Sequence, residues 1–215
     1  MAEEIEIKLR IANGKKFLKA LGKLGAKVAA ARVHERNLLF DTPDGGLAKH
    51  GQLLRIRTET PAAAAGKKKR GAKKGPERYL LTFKSPPEQM AIVPAEAARN
   101  RRHKVREELE TVLTDPAALQ KIFEGLGLRG WFRYEKYRTA YKLPGRYAWA
   151  KELLIDFDET PIGTFVELEG PHEAIDRAAR ALGFHPRDFI TKNYLVLYVE
   201  ECKRKGVGAT HMLFA

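Results

Sequence analysis

The chain has 215 residues, and its hydrophobic fraction of 44% is ordinary for a globular protein that buries a core. One domain is the simplest expectation at this length, since single β-barrels commonly reach it. The 40 Lys and Arg outnumber the 27 Asp and Glu, which leaves a net charge of +13. Such an excess favours an anionic partner, whether phosphate, nucleic acid or a membrane surface.

Export, disulfide bonding and membrane insertion are disfavoured by other features of the sequence. The first residues, MAEEIEIK, contain no apolar signal region, and no stretch approaches the roughly 20 apolar residues that span a bilayer. Cys202 is the single cysteine, which excludes an internal disulfide and fits a reducing compartment. We therefore expect a cytoplasmic protein without a membrane partner.

Short segments of alternating apolar and polar residues recur along the chain and predict β-strands. In chain order they cover residues 3–11, 33–41, 53–59, 78–85, 103–112, 130–143, 151–159 and 164–170. Because eight strands can close without a free edge, they favour an antiparallel barrel.

Helical spacing of apolar residues predicts helices around residues 14–24, 115–127, 171–184 and 191–205. In the second of these, Asp115 is the expected N-cap and Pro116 the first helical residue. The predicted fold class is therefore α+β, mainly β: a closed eight-stranded antiparallel barrel with flanking helices. A single domain over residues 1–205 is expected to carry a basic loop insertion at 61–76 and a C-terminal tail at 206–215.

Charged side chains keep a strict period of two in six of the predicted strands. Residues two apart in a strand project from the same face. The simplest interpretation is a solvated face, but in four of these strands (EIEIKL, LLRIRT, LLIDFD and FVELEG) the intervening residues are Ile, Leu, Phe and Val, which need a cover of their own. Helices over that apolar face would leave the charged face inside, as a polar tunnel. The charged positions are Glu4, Glu6, Lys8, Arg55, Arg57, Arg106, Glu108, Glu110, Lys136, Arg138, Asp156, Asp158, Glu167 and Glu169.

The order of these motifs resembles the CYTH domain, or triphosphate tunnel metalloenzyme, family. The family signature ExExK matches Glu4-Ile5-Glu6-Ile7-Lys8. The resemblance continues through LFDTPDGGL (39–47), LLRIR (53–57), LTFK (81–84), REELE (106–110), EKYR (135–138), DETPIGTFVELEG (158–170) and KNYLVLY (192–198). It extends over about residues 3 to 200, nearly the whole chain.

This resemblance implies a barrel that is open at both ends and holds a triphosphate together with a divalent metal. The family includes inorganic triphosphatases, thiamine-triphosphatases, RNA 5′-triphosphatases and class IV adenylate cyclases. Arginine recognises phosphate through two parallel hydrogen bonds, and lysine contributes a compact point charge. The implied phosphate ligands are Lys8, Arg55, Arg57, Lys84, Arg106, Lys136, Arg138 and Lys192.

Acidic residues on the same strand faces match the metal ligands of the family. Glu4, Glu6, Glu167 and Glu169 are the implied principal set, and Glu108, Glu110 and Asp158 are candidates for a second metal, directly or through water. A donor set of oxygens alone favours Mg²⁺ or Mn²⁺. Alternatively, these acids form structural salt bridges with neighbouring Lys and Arg, and both interpretations can hold in one tunnel.

Lys8 is the candidate general base, because it shares a strand face with Glu4 and Glu6 and should lie near the metal and the reacting phosphate. In some triphosphatases of the family a tyrosine pairs with this lysine and helps to activate water. Leu39 occupies the corresponding position in this chain. The missing hydroxyl weakens a direct transfer of the hydrolytic mechanism.

We expect divalent-metal-dependent hydrolysis of a triphosphate, either inorganic tripolyphosphate or a nucleoside or other organic triphosphate. One alternative is a class IV adenylate cyclase, which converts ATP to cyclic AMP and pyrophosphate. A second alternative is a non-catalytic module that binds polyphosphate or RNA, but the acidic pairs argue against it, since anion binding gains nothing from carboxylates. Nucleic acid is therefore not the favoured partner.

The segment 61–76 contains six cations and no acid, and we expect a solvated or disordered insertion there. The alternative is that this basic segment attracts polyphosphate or nucleic acid to the mouth of the tunnel. No role is assigned to the tail at 206–215, which is expected to be poorly ordered or packed on the end of the barrel.

Overall fold

The computed structural model describes residues 2–63, 75–87 and 102–215. Its β-strands are β1 (Ala2–Ile11), β2 (Lys27–Asp41), β3 (Leu53–Pro61), β4 (Arg78–Ser85), β5 (Lys104–Leu113), β6 (Arg129–Lys142), β7 (Leu154–Thr160) and β8 (Gly163–Glu169). They close into one barrel in the order β1-β5-β4-β3-β2-β6-β7-β8, and each pair in this order is antiparallel. The predicted fold class is confirmed.

The largest difference from the predicted boundaries is in β2, which begins at Lys27 rather than at residue 33. The extra residues include three successive alanines, which have little intrinsic preference for a strand. They are extended because β6 pairs with them, through register shifts between Val28 and Ala30 and between Ala30 and Val33. Pairing with a partner strand, and not local propensity, makes this stretch a strand.

Five α-helices lie within the described residues, and four of them confirm the predicted helices. Asp115 caps α3 as expected, since its carboxylate accepts a hydrogen bond of 2.9 Å from the Ala118 amide. The short α2 follows a turn that the sequence patterns did not predict. None of the described helices combines the length and apolar character needed to cross a membrane. The helices are α1 (Gly14–Lys23), α2 (Gly46–Lys49), α3 (Pro116–Gly125), α4 (His172–Ala181) and α5 (Tyr194–Lys205).

The main hydrophobic core lies outside the barrel, between the strands and two helices. The apolar residues that alternate with the charges of β1, β7 and β8 are buried there, against Phe17 and Leu21 of α1 and Ile175 of α4. Ile7 and Leu9, for example, are fully buried, while Glu6 and Lys8 point to the other side of β1. The helices therefore cover the apolar face, and the charged face is left inside the barrel, as the alternation predicted.

The chain after α5 returns to the barrel and packs along β6. Met212 is fully buried, its amide donates to the Arg133 carbonyl at 3.0 Å, and its carbonyl accepts from the Glu135 amide at 2.9 Å. The tail is thus packed on the barrel and fixed by backbone hydrogen bonds. Most of the basic segment 61–76 lies outside the described residues, which place its ends between β3 and β4.

Candidate active site

The interior of the barrel contains two cavities that meet inside it. One, the narrow cavity, has a volume of about 80 Å³, and the other, the wide cavity, has a volume of about 670 Å³. Glu4, Arg57, Lys84 and Arg138 line both. The two cavities are therefore consecutive parts of one polar tunnel.

The two cavities carry opposite charge. Among the described residues, eight cations and three acids line the narrow cavity: Lys8, Arg55, Arg57, Lys84, Lys104, Arg106, Lys136 and Arg138, with Glu4, Glu6 and Glu167. In the part of the chain that the structure describes, eight acids and four cations line the wide cavity: Glu3, Glu4, Glu35, Glu59, Glu108, Glu110, Asp156 and Glu169, with Arg57, Arg78, Lys84 and Arg138. A polyanion is favoured in the first and a cation in the second.

Seven of the eight predicted phosphate ligands line the narrow cavity. The guanidinium of Arg55 donates to the hydroxyl oxygens of Tyr134 and Thr82, at 3.0 Å each, while its Nε is buried without a partner among the described residues. Arg106 is held by a hydrogen bond of 2.9 Å from Nη1 to the Gly51 carbonyl. These contacts fix the cations and leave N–H groups for a ligand.

Lys192 is the predicted phosphate ligand that the structure does not bring to the tunnel. Its side chain is 52% exposed and pairs with Glu200 of α5, with 2.6 Å between Nζ and Oε1. The three residues after it, Asn193 to Leu195, line the narrow cavity instead. The chain at the start of α5 thus directs these three residues into the cavity, whereas the side chain of Lys192 points away from it.

Lys8 lies fully enclosed in the narrow cavity between two carboxylates. Its Nζ is 3.2 Å from Glu6 Oε1 and 3.2 Å from Glu167 Oε1. Burial alone would lower the pKa of Lys8, but the charges of Glu167 and Glu6 outweigh burial and raise it above its ordinary value. A lysine that holds its proton this firmly suits a phosphate ligand better than a general base.

Lys104 also lines the narrow cavity and was not among the predicted site residues. It stands opposite Glu6 in the pairing of β1 with β5, and its ammonium donates to the Glu6 carboxylate. Burial lowers the pKa of Lys104 to about 8, and the nearby charges of Lys8 and Arg106 contribute to this shift. The carboxylate of Glu6 opposes it but does not cancel it. Extending the alternation of Arg106 and Glu108 by one step would have identified this residue.

Arg138 connects the two cavities through a dense set of ion pairs. Its guanidinium contacts Asp156 Oδ2 at 2.7 Å and Asp158 Oδ2 at 2.6 Å, and it also pairs with Glu167. Asp158 is fully buried and in addition accepts hydrogen bonds from Lys136 at 2.9 Å and from the Tyr194 hydroxyl at 2.7 Å. The salt-bridge interpretation of Asp158 is therefore realised in the structure.

Buried carboxylate oxygens without hydrogen-bond partners line the wide cavity. Both oxygens of Glu35 and Oδ1 of Asp156 have no hydrogen bond among the described residues, but Glu35 is balanced by longer ion pairs with Arg57, Lys136 and Arg138. The uncompensated negative charge therefore lies at Asp156 and Glu169. Burial raises the pKa of Asp156 to about 6, with a further contribution from the charge of Asp158 that is opposed by Arg138. Burial and the charges of Glu4 and Asp156 raise the pKa of Glu169 to about 7. The potential here is negative enough to favour a cation.

The predicted metal ligands fall on both sides of the junction. Glu4, Glu6 and Glu167 line the narrow cavity, whereas Glu169, Glu108 and Glu110 line the wide one. Glu108 pairs with Lys84 at 3.1 Å, and Glu110 accepts from the Thr82 hydroxyl at 3.0 Å. Within residues 2–63, 75–87 and 102–215, no three Asp, Glu, His or Cys side chains are arranged so that they could hold one metal ion.

Two tyrosines in the site were also absent from the predicted set. Tyr134 continues the alternation of Lys136 and Arg138 along β6, so the sequence contained a signal for it. Tyr194 comes from the start of α5, and its hydroxyl reaches Asp158 inside the barrel. The helical periodicity of residues 191–205 does not indicate that Tyr194 enters the tunnel.

A closed antiparallel barrel with a charged interior defines the class of this protein as a polar-tunnel barrel. The model of the CYTH domain family matches residues 2–183. The chain therefore belongs to the CYTH domain family, which confirms the resemblance found in its motifs.

A relative in Methanocaldococcus jannaschii, named "Putative adenylate cyclase", is 26% identical over 204 residues, which cover 90% of this chain and 97% of the relative. Among solved structures, one from Vibrio parahaemolyticus with a similar name aligns with a TM-score of 0.65 at 19% identity, covering 89% of this chain and 94% of that chain. A Hippeastrum structure aligns with a TM-score of 0.53 at 19% identity, covering 96% and 97%, and its description reports a dominant triphosphatase activity of that protein. At these identities the two structures establish the shared fold.

Proposed function

We propose that this protein hydrolyses a triphosphate, with the phosphate chain bound in the narrow cavity and a divalent metal held by acids of the tunnel. The observation that carries the proposal is the reversal of charge between the two cavities. Eight cations around one small volume match a ligand with several negative charges. The triphosphatase activity reported for the Hippeastrum protein, which has the same fold, supports the assignment.

The cations of the narrow cavity orient the phosphate chain and stabilise the charge that develops during cleavage. Hydrolysis forms a bond between the water oxygen and the attacked phosphorus, breaks the bond from that phosphorus to the bridging oxygen, and transfers the water proton to a phosphate oxygen or to solvent. Negative charge then builds on the leaving phosphate. The fixed guanidinium of Arg55 and the ammonium of Lys8 stabilise this charge. Catalysis by positioning and charge stabilisation is the usual solution for phosphoryl transfer.

Mg²⁺ or Mn²⁺ fits the donors of the tunnel, since they are carboxylate oxygens and Oδ1 of Asp156 is buried without a partner among the described residues. We assign Glu169 as the principal metal ligand, because burial and the charges of Glu4 and Asp156 raise the pKa of Glu169; water and phosphate oxygens would supply the other ligands. Glu4 is the next candidate, although it pairs with Lys84 at 2.6 Å. Glu6 and Glu167, the other members of the predicted set, pair with Lys8. A bound divalent ion supplies Lewis-acid polarisation of a phosphoryl oxygen.

Class IV adenylate cyclase chemistry is the second candidate function. The M. jannaschii relative carries that name, and Leu39 lines the narrow cavity where some triphosphatases have a tyrosine. The cations that bind a triphosphate serve attack by water and attack by a ribose hydroxyl equally well. The two reactions differ in which phosphorus is attacked, and therefore in their products.

The deciding experiment is to incubate the full chain with Mg²⁺ or Mn²⁺ and either tripolyphosphate or ATP, and to identify the products by ³¹P NMR and chromatography. We expect orthophosphate from one or both substrates. Cyclic AMP with pyrophosphate would establish the cyclase instead. Absence of turnover with retained binding would leave a polyphosphate- or RNA-binding module.

A matched pair of variants tests whether turnover takes place in the tunnel. Arg55→Met removes a buried cation of the narrow cavity, whereas Lys192→Met removes an exposed one outside it. We expect Arg55→Met to lose at least ~100-fold in kcat/KM, the size of effect known for one electrostatic group in an active site. Lys192→Met should match the wild type, and equal losses in both variants would contradict the proposed site.

A further inference from the structure

The segment that precedes α5 completes the narrow cavity, although it lies beyond the residues matched by the family model. It is joined to β1 at Lys8 by two backbone hydrogen bonds of 2.9 Å with Ile190, one in each direction. Asn193 then caps α5 by accepting from the Val196 amide at 2.9 Å. This pairing and this cap fix the position of Tyr194, the first residue of α5.

Tyr194 is buried, with 6% of its surface exposed, and it contacts three charged groups of the site. Its hydroxyl donates to Asp158 Oδ2 at 2.7 Å. The centre of its ring is 5.4 Å from Nζ of Lys8 and 5.1 Å from Nζ of Lys136. Phe165 packs edge-on against the ring at 5.5 Å and restricts its rotation.

These contacts give the ring and the hydroxyl separate roles. The negative face of an aromatic ring attracts ammonium groups, most strongly where water is excluded. The ring therefore holds Lys8 and Lys136 in addition to the carboxylates with which each of them pairs. The hydroxyl holds Asp158 through a hydrogen bond to a charged acceptor, a strong class of hydrogen bond. Asp158 in turn accepts a hydrogen bond from the ammonium of Lys136.

We propose that Tyr194 is a positioning residue of the active site, which holds the ammonium groups of Lys8 and Lys136 in place for the phosphate chain. This inference rests on the proposed binding of a triphosphate in the narrow cavity. The C-terminal helix thereby contributes to catalysis through its first residue. Tyr194 acts through the lysines and Asp158, and it has no part in bond making or breaking.

The test compares Tyr194→Phe and Tyr194→Leu in the full chain, with Tyr198→Phe as the matched control. Tyr198 lies one turn further along α5, and its hydroxyl accepts from the Thr210 amide outside the tunnel at 3.4 Å. The readouts are kcat and KM for tripolyphosphate with Mg²⁺, tripolyphosphate affinity by calorimetry in EDTA, and the thermal unfolding midpoint.

Tyr194→Phe keeps the ring and loses the hydroxyl, so we expect kcat to fall by about tenfold with little change in affinity. Tyr194→Leu also loses the ring, and we expect affinity in EDTA to weaken by about thirtyfold. Tyr198→Phe should leave both quantities unchanged. A purely structural role would lower the unfolding midpoint and leave kcat and affinity of the folded protein at wild-type values.

Values of kcat and affinity within about twofold of the wild type in both Tyr194 variants would overturn the inference, since the removed contacts correspond to larger effects. If Tyr194→Leu does not fold, Tyr194→Phe decides the matter through kcat. If the wild type turns over only ATP, the same measurements are made with ATP. If it binds tripolyphosphate or ATP but turns over neither, the proposed function is wrong, and the affinities still decide the role of Tyr194. If it binds neither, both proposals are wrong.

Discussion

The two cavities of the tunnel are built from the same strands, yet their charge is opposite. On β1 the sequence passes from Lys8 in the narrow cavity to Glu4 at the junction, and on β5 from Arg106 to Glu108 and Glu110. Side chains two residues apart on one strand face are about 7 Å apart. A reversal of charge therefore needs only a few residues on each strand. Under the proposed function, this difference would give a triphosphate a direction, with its phosphate chain among the cations and the metal among the acids.

Glu6 in the narrow cavity and Glu169 in the wide cavity have pKa values that are shifted in opposite directions. At the narrow end, Lys8 and Lys104 overcome the effect of burial and hold the pKa of Glu6 well below its usual range. In the wide cavity, burial and other acids raise the pKa of Glu169 to about 7. Burial by itself raises the pKa of a carboxyl group, so the neighbouring charges decide the net direction.

The largest effect is expected where the two cavities join. Arg138→Met removes the cation shared by Asp156, Asp158 and Glu167, and leaves these buried acids with fewer partners. We expect the free energy of unfolding in urea to fall by about 3–5 kcal/mol.

The control for that prediction is Arg177→Met on α4, which removes an exposed pair with Glu173 and should cost less than about 1 kcal/mol. A loss from Arg138→Met no greater than from this control would show that the ion pairs at the junction do not sustain the fold.

Glutamine at adjacent acidic positions of β8 should change stability in opposite directions. Glu167→Gln removes a partner of Lys8 and Arg138, and we expect a loss of about 2 kcal/mol at pH 8. For Glu169 the pKa in the folded protein, about 7, lies above its ordinary value of 4.5. The folded state thus binds more protons between these pH values, and stability falls as the pH rises through this window.

Glu169→Gln therefore should stabilise the metal-free protein at pH 8, by about 1–2 kcal/mol, and leave it unchanged at pH 4. Chemical denaturation in EDTA at both pH values measures the difference. Destabilisation by both variants at pH 8 would contradict the assignment of Glu169 to a region of unbalanced negative charge.

Affinity for tripolyphosphate should depend on pH through Lys104. Its pKa of about 8 in the free protein should rise when phosphate binds, because an anion favours the charged form. Affinity in EDTA should then fall above pH 8, by at most about tenfold per pH unit. Lys104→Arg should remove this dependence, because arginine stays protonated. The same slope in wild type and variant would assign the titration to another group.

The smallest effect is expected from Lys8→Arg. The ion pairs with Glu6 and Glu167 raise the pKa of Lys8, which supports a role as a phosphate ligand, and arginine retains the charge. We expect kcat at saturating tripolyphosphate to fall by less than about tenfold, whereas loss of a general base costs about 100-fold or more. A loss of about 100-fold or more in kcat across the pH range would establish Lys8 as the general base.

The sequence by itself determined the barrel and most of the narrow cavity. Alternation of charged and apolar residues sets which side chains face inward, because the two faces of a strand differ by one residue. Seven predicted phosphate ligands line the cavity for this reason. Lys104, Tyr134 and Glu35 obey the same alternation in β5, β6 and β2, and a longer reading of each strand would have included them.

Other parts of the site were decided by the tertiary structure, because they depend on how distant segments meet. The register of β1 with β5 and β8 places Glu6 opposite Lys104 and Glu169, and no local pattern contains that register. Tyr194 enters the tunnel because Ile190 pairs with the backbone of Lys8, while Lys192 is turned outward to Glu200. Periodicity describes one segment at a time, whereas a contact between segments far apart in the chain is a property of the closed barrel.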